Sequence, residues 1–471
     1  MNSSALQRFT HDFWESEILP TLADYIKIPN QSPYFDVEWK AHGYMDEVVA
    51  LARAWVDKHP IPGARLEVLE EPGRTPLLFL EVDGSADGTI LLYGHLDKQP
   101  PMTGWDADLG PWKPVFKDGK LYGRGGADDG YALFSIVGAI QAIKAQNLAH
   151  PRLVAVIECC EESGSVDLPY YMDVLAERIG QPSLVICLDS GCGNYDQLWI
   201  TTSLRGMIAG DLTVEVLSEG VHSGSASGIV PSSFRIVRQI LDRVEDMTSG
   251  EIKPEFLRVH IPEHRVREAQ ATAEALGDMI YREFPFVPGM QPANSSLVEL
   301  ILNRTWRPTL SVTGQRGMPD LASAGNVLRP YTSLKLSFRL PPSLKVDGVK
   351  EQLTSLIERD PPYGAQVRFL CEKAGAGWEA PEVAPWLNRS AHEASKQFFG
   401  APACYLGEGG SIPFMGMLGE KFPAAQFMIT GVLGPRSNAH GPNEFLHIET
   451  GKAVTSSIAR VIVDAVERGR A

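Results

Sequence analysis

The 471-residue chain has only six cysteines, and no two of them form a CxxC pair. Cys159 and Cys160 sit side by side in an apolar run, and Cys187, Cys192, Cys371 and Cys404 are scattered. This leaves no disulfide framework and no thiolate cage for a structural zinc, and it suits a reducing compartment. Positive charge is also short: 43 Lys and Arg against 58 Asp and Glu give a formal charge of −15, which argues against a nucleic-acid or anionic-membrane partner. No uninterrupted apolar run approaches the roughly 18 residues of a membrane span. The opening residues MNSSALQRFTHDFWESE show no apolar core of a secretion signal. The expected location is therefore cytoplasmic. There is no GxSxG, no P-loop and no GxGxxG; Gly123-Arg124-Gly125-Gly126 lacks that last spacing.

Apolar strands alternate with amphipathic helices. Apolar runs at 89–93, 152–160 and 183–188 are separated by helical patterns at 131–146 and 167–179. This alternation predicts an α/β fold, a mostly parallel sheet with helices on both faces. From about residue 206 the pattern changes to half-exposed alternation at 208–216, a helix at 232–244, and strands at 310–313 and 331–340. Residues 250–295 are irregular apart from a helical stretch at 268–283. The α/β pattern returns near 381. The expected organisation is a catalytic domain in two parts, 1–205 and 378–471, with an inserted α+β domain at 206–377.

Ligands in such sheets collect at the carboxyl ends of the strands. His95, Glu161, Glu162 and Asp189 each follow an apolar strand directly. Side chains at i and i+2 of an extended segment share a face, so Asp97 can orient His95 for a metal; taken alone, the triplet fits a histidine simply hydrogen-bonded to an acid better. In Asp128-Asp129, one carboxylate can cap the helix that follows and the other can bridge two cations. Glu161-Glu162 would repel at a half-buried edge, a repulsion that a cation relieves. The unligated member can then move a proton. Asp189, before Ser190-Gly191, also suits a plain turn, and His440, in GPRSNAHGPNEFLH, also suits a surface loop. Taken together, His95, Asp128, Glu162, Asp189 and His440 form an imidazole and carboxylate set for two divalent ions, zinc first, with manganese or cobalt as alternatives.

YGHLDKQP, the Trp105–Pro111 segment followed by DGKLYGRGGADD, EESGS at 161–165 and HSG at 222–224 resemble the co-catalytic di-zinc exopeptidase family of carboxypeptidases, aminoacylases, desuccinylases and carnosinases. The likeness is greatest to the cytosolic non-specific dipeptidase and carnosinase branch. It implies a zinc-exopeptidase-like fold whose inserted domain is a lid and dimerisation domain. It implies one metal on His95, Asp128 and Asp189, and another on Asp128, Glu162 and His440. Glu161 would be the general base and Asp97 the support of His95. His222 would reach the partner subunit's site and stabilise an oxyanion. Asn326, Arg339 and Ser411 match positions that contact substrate. Where the family usually continues the Asp-Asp pair with Lys-Gly, this chain has Gly130-Tyr131. The implied activity is hydrolysis of the amide bond of dipeptides or short peptides by metal-activated water, in a homodimer. Two alternatives are an N-acyl- or N-carbamoyl-amino-acid amidohydrolase and, more remotely, a non-catalytic protein that keeps the metal.

Overall fold

The computed structural model describes residues 1–410 and 413–466. The strands that organise it are β1 (Ala64–Leu69), β2 (Leu77–Val82), β3 (Thr89–His95), β4 (Arg152–Glu158), β5 (Leu184–Cys187), β6 (Trp199–Leu204), β7 (Gly206–Glu215), β8 (Thr309–Arg316), β9 (Tyr331–Leu340), β10 (Gln366–Gly375), β11 (Trp378–Glu379), β12 (Cys404–Glu408) and β13 (Gln426–Ile429).

The larger sheet runs β1-β2-β4-β3-β5-β13-β6-β11, with β12 also paired to β6. Its centre, β4-β3-β5-β13, is parallel. β1 and β2 at one edge and β11 at the other pair antiparallel, so the sheet is mixed with a parallel heart. Along β2 and β3, alternate side chains enter two separate cores. Leu78, Leu80, Ile90 and Leu92 join one core, while Leu77, Phe79, Leu91 and Tyr93 join the other. Both faces are covered, which explains why these strands read as unbroken apolar runs. On the first face lie α1 (Leu19–Lys27), α2 (Tyr44–Lys58) and α3 (Tyr131–Ala145), the last with most of its side chains buried.

The second sheet, β8-β9-β7-β10, is wholly antiparallel and is covered by α4 (Ser233–Leu241) through Ile236, Val237 and Ile240. β10 and the strand β6 gave no clear sequence signal. β10 is largely exposed and carries charge on both faces, and β6 is a polar TTS strand buried in full. α5 (Glu263–Leu276), α6 (Met279–Arg282) and α7 (Leu297–Thr305) pack on β6 and β12 of the larger sheet through Ala269, Ala273, Ile280, Ile301 and Leu302 against Trp199 and Leu406.

Candidate metal centre

His95 is the last residue of β3 and is fully buried. Gly94 before it cannot carry a side chain, because a Cβ there would lie 2.5 Å from Ala132 Cβ and 2.9 Å from Asp129 Oδ2. The imidazole Nδ1 faces two acceptors, the Asp97 carbonyl oxygen at 3.1 Å and Asp97 Oδ1 at 3.4 Å. Neither can donate, so Nδ1 is the donor here and Nε2 is the ring atom turned toward the other carboxylates. Nε2 is buried with no hydrogen-bond partner, 3.4 Å from Asp128 Oδ1 and 3.9 Å from Asp189 Oδ2.

Asp97 does more than orient the imidazole. Its Oδ1 accepts the Glu161 N–H at 3.1 Å and its Oδ2 accepts the Glu162 N–H at 3.0 Å. One buried carboxylate therefore ties the end of β3 to the short turn Glu161–Ser163 that follows β4. Glu162 Oε2 accepts from Gln99 Nε2 at 2.5 Å, and Oε1 is buried without a partner. Gln99 had no sequence signal, since an uncharged amide two residues after Asp97 belongs to no metal pattern.

Asp128 enters from the Gly126–Gly130 turn, across a cis peptide to Asp129. Its Oδ2 lies 3.1 Å from His440 Nε2, which is also 3.4 Å from Glu162 Oε2. His95, Asp128 and Glu162 offer ligand atoms within 4.8 Å of one another, and so do His95, Glu161 and Asp189. All six acidic and imidazole side chains named from the sequence as ligands or base thus meet at one place. The capping alternative for Asp128-Asp129 does not hold, because no side chain caps α3. Asp129 instead lies buried and accepts the His95 N–H at 3.3 Å.

A second brace joins the glycine-rich turn to the His440 loop. Arg124 pairs with Glu444, both buried, and donates to the Gly441 carbonyl at 2.8 Å; Glu444 also accepts the Gly125 N–H at 2.9 Å. Gly125 has φ +83°, and a Cβ there would strike the Lys98 side chain at 2.6 Å.

The charges are strained without a cation. Burial, then Asp189, pushes the Glu161 carboxyl well up, and burial with Asp128 and Glu161 does the same to Glu162. Burial pushes Asp189 up to about 6. Burial opposes charge on His95, yet the contacts with Asp128 and Asp97 outweigh it and raise the imidazole well above 6.5. Against its own burial, Asp128 is held low by His440 and His95. Crowded carboxylates with unpartnered buried donor atoms, mixed with imidazole, match the demands of two divalent cations.

The remaining sequence candidates lie elsewhere in the single chain. His222 is exposed on the two-residue strand Val221–His222, which pairs with Val327–Leu328; exposed Asn326 accepts the Ser223 N–H at 2.9 Å through its carbonyl. Arg339 lies on β9 opposite Thr309. None of the three lines the cleft that contains Glu161 and Asp189. Ser411 lies outside the described residues.

Among curated proteins, the chain is 25% identical over 383 residues to the cysteinylglycine-S-conjugate dipeptidase of Corynebacterium striatum, covering 78% of this chain and 80% of that one. It is 27% identical over 389 residues to the Cys-Gly metallodipeptidase DUG1 of Saccharomyces cerevisiae, covering 76% of each. It is 28% identical over 313 residues to the human Beta-Ala-His dipeptidase, covering 60% of this chain and 56% of that one. The fold matches solved structures of the yeast di-peptidase Dug1p, with a TM-score of 0.72 at 20% identity, and of human carnosine dipeptidase 1, with a TM-score of 0.74 at 21% identity; each match covers 99% of both chains. A model of peptidase family M20/M25/M40 matches residues 91–464, and the chain belongs to that family.

Proposed function

We propose that this protein is a metallopeptidase that hydrolyses the amide bond of dipeptides or short peptides. The observation that carries the reading is the meeting of His95, Glu161, Glu162 and Asp189, at the carboxyl ends of β3, β4 and β5, with Asp128 of the glycine-rich turn and His440 of the last loop. The dipeptidase names of its relatives agree with it. His95, Asp128 and Asp189 would hold one cation, and Asp128, Glu162 and His440 the other. Zinc is the first assignment, with manganese or cobalt as alternatives. Bound cations of this kind polarise a peptide carbonyl and acidify water.

The residues of the chain then divide the work. Glu161 is the proton carrier: its carboxylate takes a proton from water and gives it to the leaving amine, for which its upward displacement by burial is suited. Asp97 holds the Glu161 and Glu162 amides and the His95 ring in register. Residues 206–377 would form the lid and dimerisation domain of a homodimer. Exposed Ile229, Phe234 and Leu321 on this part of the chain support that assignment. His222, exposed on the same part, would complete the partner's site by stabilising the oxyanion, and Asn326, Arg339 and Ser411 would contact substrate. Six free cysteines fit a cytoplasmic enzyme.

Glu161→Gln tests the reading. The variant keeps the volume and the ligands, so it should bind metal as the parent does while kcat on dipeptides falls about 10²–10⁴-fold. Turnover within a few-fold of the parent, on free-amino dipeptides and N-acyl amino acids alike, refutes the role. Faster turnover of N-acyl amino acids by the parent would move the substrate class to the amidohydrolases.

A further inference from the structure

The cluster opens into a cleft of about 430 Å³, within the roughly 300–1,000 Å³ usual for small-ligand sites. One end holds Asp128, Glu161, Asp189 and His440. The far wall is the irregular segment that carried no motif. Leu276, Met279 and Ile280 from α5 and α6 line it together with Leu406 of β12, Glu283 and Arg304. This wall is anchored: Ile280 is buried in the same cluster as Ala269, Ile301, Leu302 and Trp199, so its position is set by packing on the sheet. In the stretch that follows α6, Phe284, Phe286, Val287 and Met290 are also exposed.

The charge at the far end is arranged against acidic groups. Arg304 is already paired to Glu283, Nη1 to Oε1 at 2.8 Å, and Glu408 lies in the same wall. Arg304 thus already has a carboxylate partner, and Arg205 beside it donates to the carbonyls of Gly409, Asn303 and Arg307, so an incoming carboxylate must compete for guanidinium groups that are already engaged. An aliphatic side chain meets a preformed shelf and needs no partner.

We propose that the α5–α7 segment is the specificity wall of this enzyme, selecting peptides that place an aliphatic side chain on Leu276, Met279 and Ile280 and rejecting acidic ones through the closed Glu283–Arg304 pair. The inference rests on the peptidase reading above and names the substrate class of that site. Burial of one leucine side chain corresponds to about 10–100-fold in kcat/KM.

The test measures kcat/KM of the metal-loaded enzyme on Gly-Gly, Leu-Gly, Gly-Leu, Asp-Gly and Gly-Asp. One of the two leucine peptides should exceed Gly-Gly by about 10–100-fold, and its aspartate counterpart should fall below Gly-Gly. Hydrolysis without that order overturns the wall alone, whereas no hydrolysis of any member overturns the peptidase reading as well. Two variants at partly exposed positions, where folding is not at stake, localise the effect. Met279→Glu should lower the leucine-to-glycine ratio at least fivefold. Glu283→Gln, which removes the carboxylate that Arg304 pairs with at 2.8 Å, should raise the aspartate-to-leucine ratio about tenfold. Ratios unmoved in both variants place the substrate side chain elsewhere and refute the proposal.

Discussion

Asp97→Asn is the sharpest probe of how the centre is held together. The side chain keeps its volume but loses its charge and one of its two acceptors. In the parent both oxygens are committed, Oδ1 to the Glu161 N–H at 3.1 Å and Oδ2 to the Glu162 N–H at 3.0 Å, and Oδ1 also faces His95 Nδ1 at 3.4 Å. Asparagine can satisfy one of those amides and must turn its NH₂ toward the other. One charge-assisted hydrogen bond is lost, worth about 1.5–3 kcal/mol, and a buried N–H is left unpaired at about 1–3 kcal/mol. The expected loss of stability is therefore about 3–5 kcal/mol. Metal affinity should fall about 10–100-fold, since the orientation of His95 and the Glu161–Ser163 turn goes with the charge. Chemical unfolding gives the first quantity and competition with a chromogenic chelator the second. A variant with parental metal affinity and parental stability would show that Asp97 is only a neighbour of the site.

Three further outcomes follow from the same geometry. Arg124→Met removes one partner of the buried Arg124–Glu444 pair and strands the other, which should cost about 3–5 kcal/mol; unfolding within 1 kcal/mol of the parent would mean the brace carries no weight. Removing metal with a chelator should lower the melting temperature, because the carboxylates then repel unscreened, and added Zn²⁺ or Mn²⁺ should restore it; an unchanged melting temperature refutes cation binding by the folded state. Glu81 is held below its ordinary 4.5: burial opposes this, but the Arg178 and Arg152 hydrogen bonds prevail. Its stabilising contribution is complete above about pH 4.5 and is lost as pH falls through the lower folded value, so Glu81→Gln should flatten the acid limb of a stability–pH curve and leave the alkaline limb parallel.

The carboxylate and imidazole cluster was legible because parallel strands buried on both faces read as apolar runs, and a charged residue directly after such a run has few places to go. His95, Glu161 and Asp189 were found that way. The partners of Asp97 were not, because two backbone amides some 64 residues away leave no trace in side-chain identity. Asp129 looked like a cap, since aspartate before a helix usually is one, but here its carboxylate turns inward to the His95 amide. The far wall was invisible for a different reason. Leu276, Met279 and Ile280 belong to helices whose pattern reads as ordinary packing, and only the way α5–α7 lie on β6 and β12 brings them to the cleft. Likewise, β10 was missed because an exposed, charge-rich strand in an antiparallel sheet lacks the apolar run that marked the parallel ones.

The brace between Arg124 and Glu444 spans 320 residues of sequence, and it has a consequence for biosynthesis. At roughly 5–20 residues per second, a ribosome delivers the second partner about 15–60 s after the first. Through that interval β3 and β4 can be formed with their terminal carboxylates in place, while the His440 loop is still unmade. Until then the carboxylates that follow β3, β4 and β5 lack the imidazole of His440, and the arrangement around Asp128 and Glu162 is complete only once the last segment is made. A truncation between residues 430 and 440 would keep every strand of the larger sheet and lose His440.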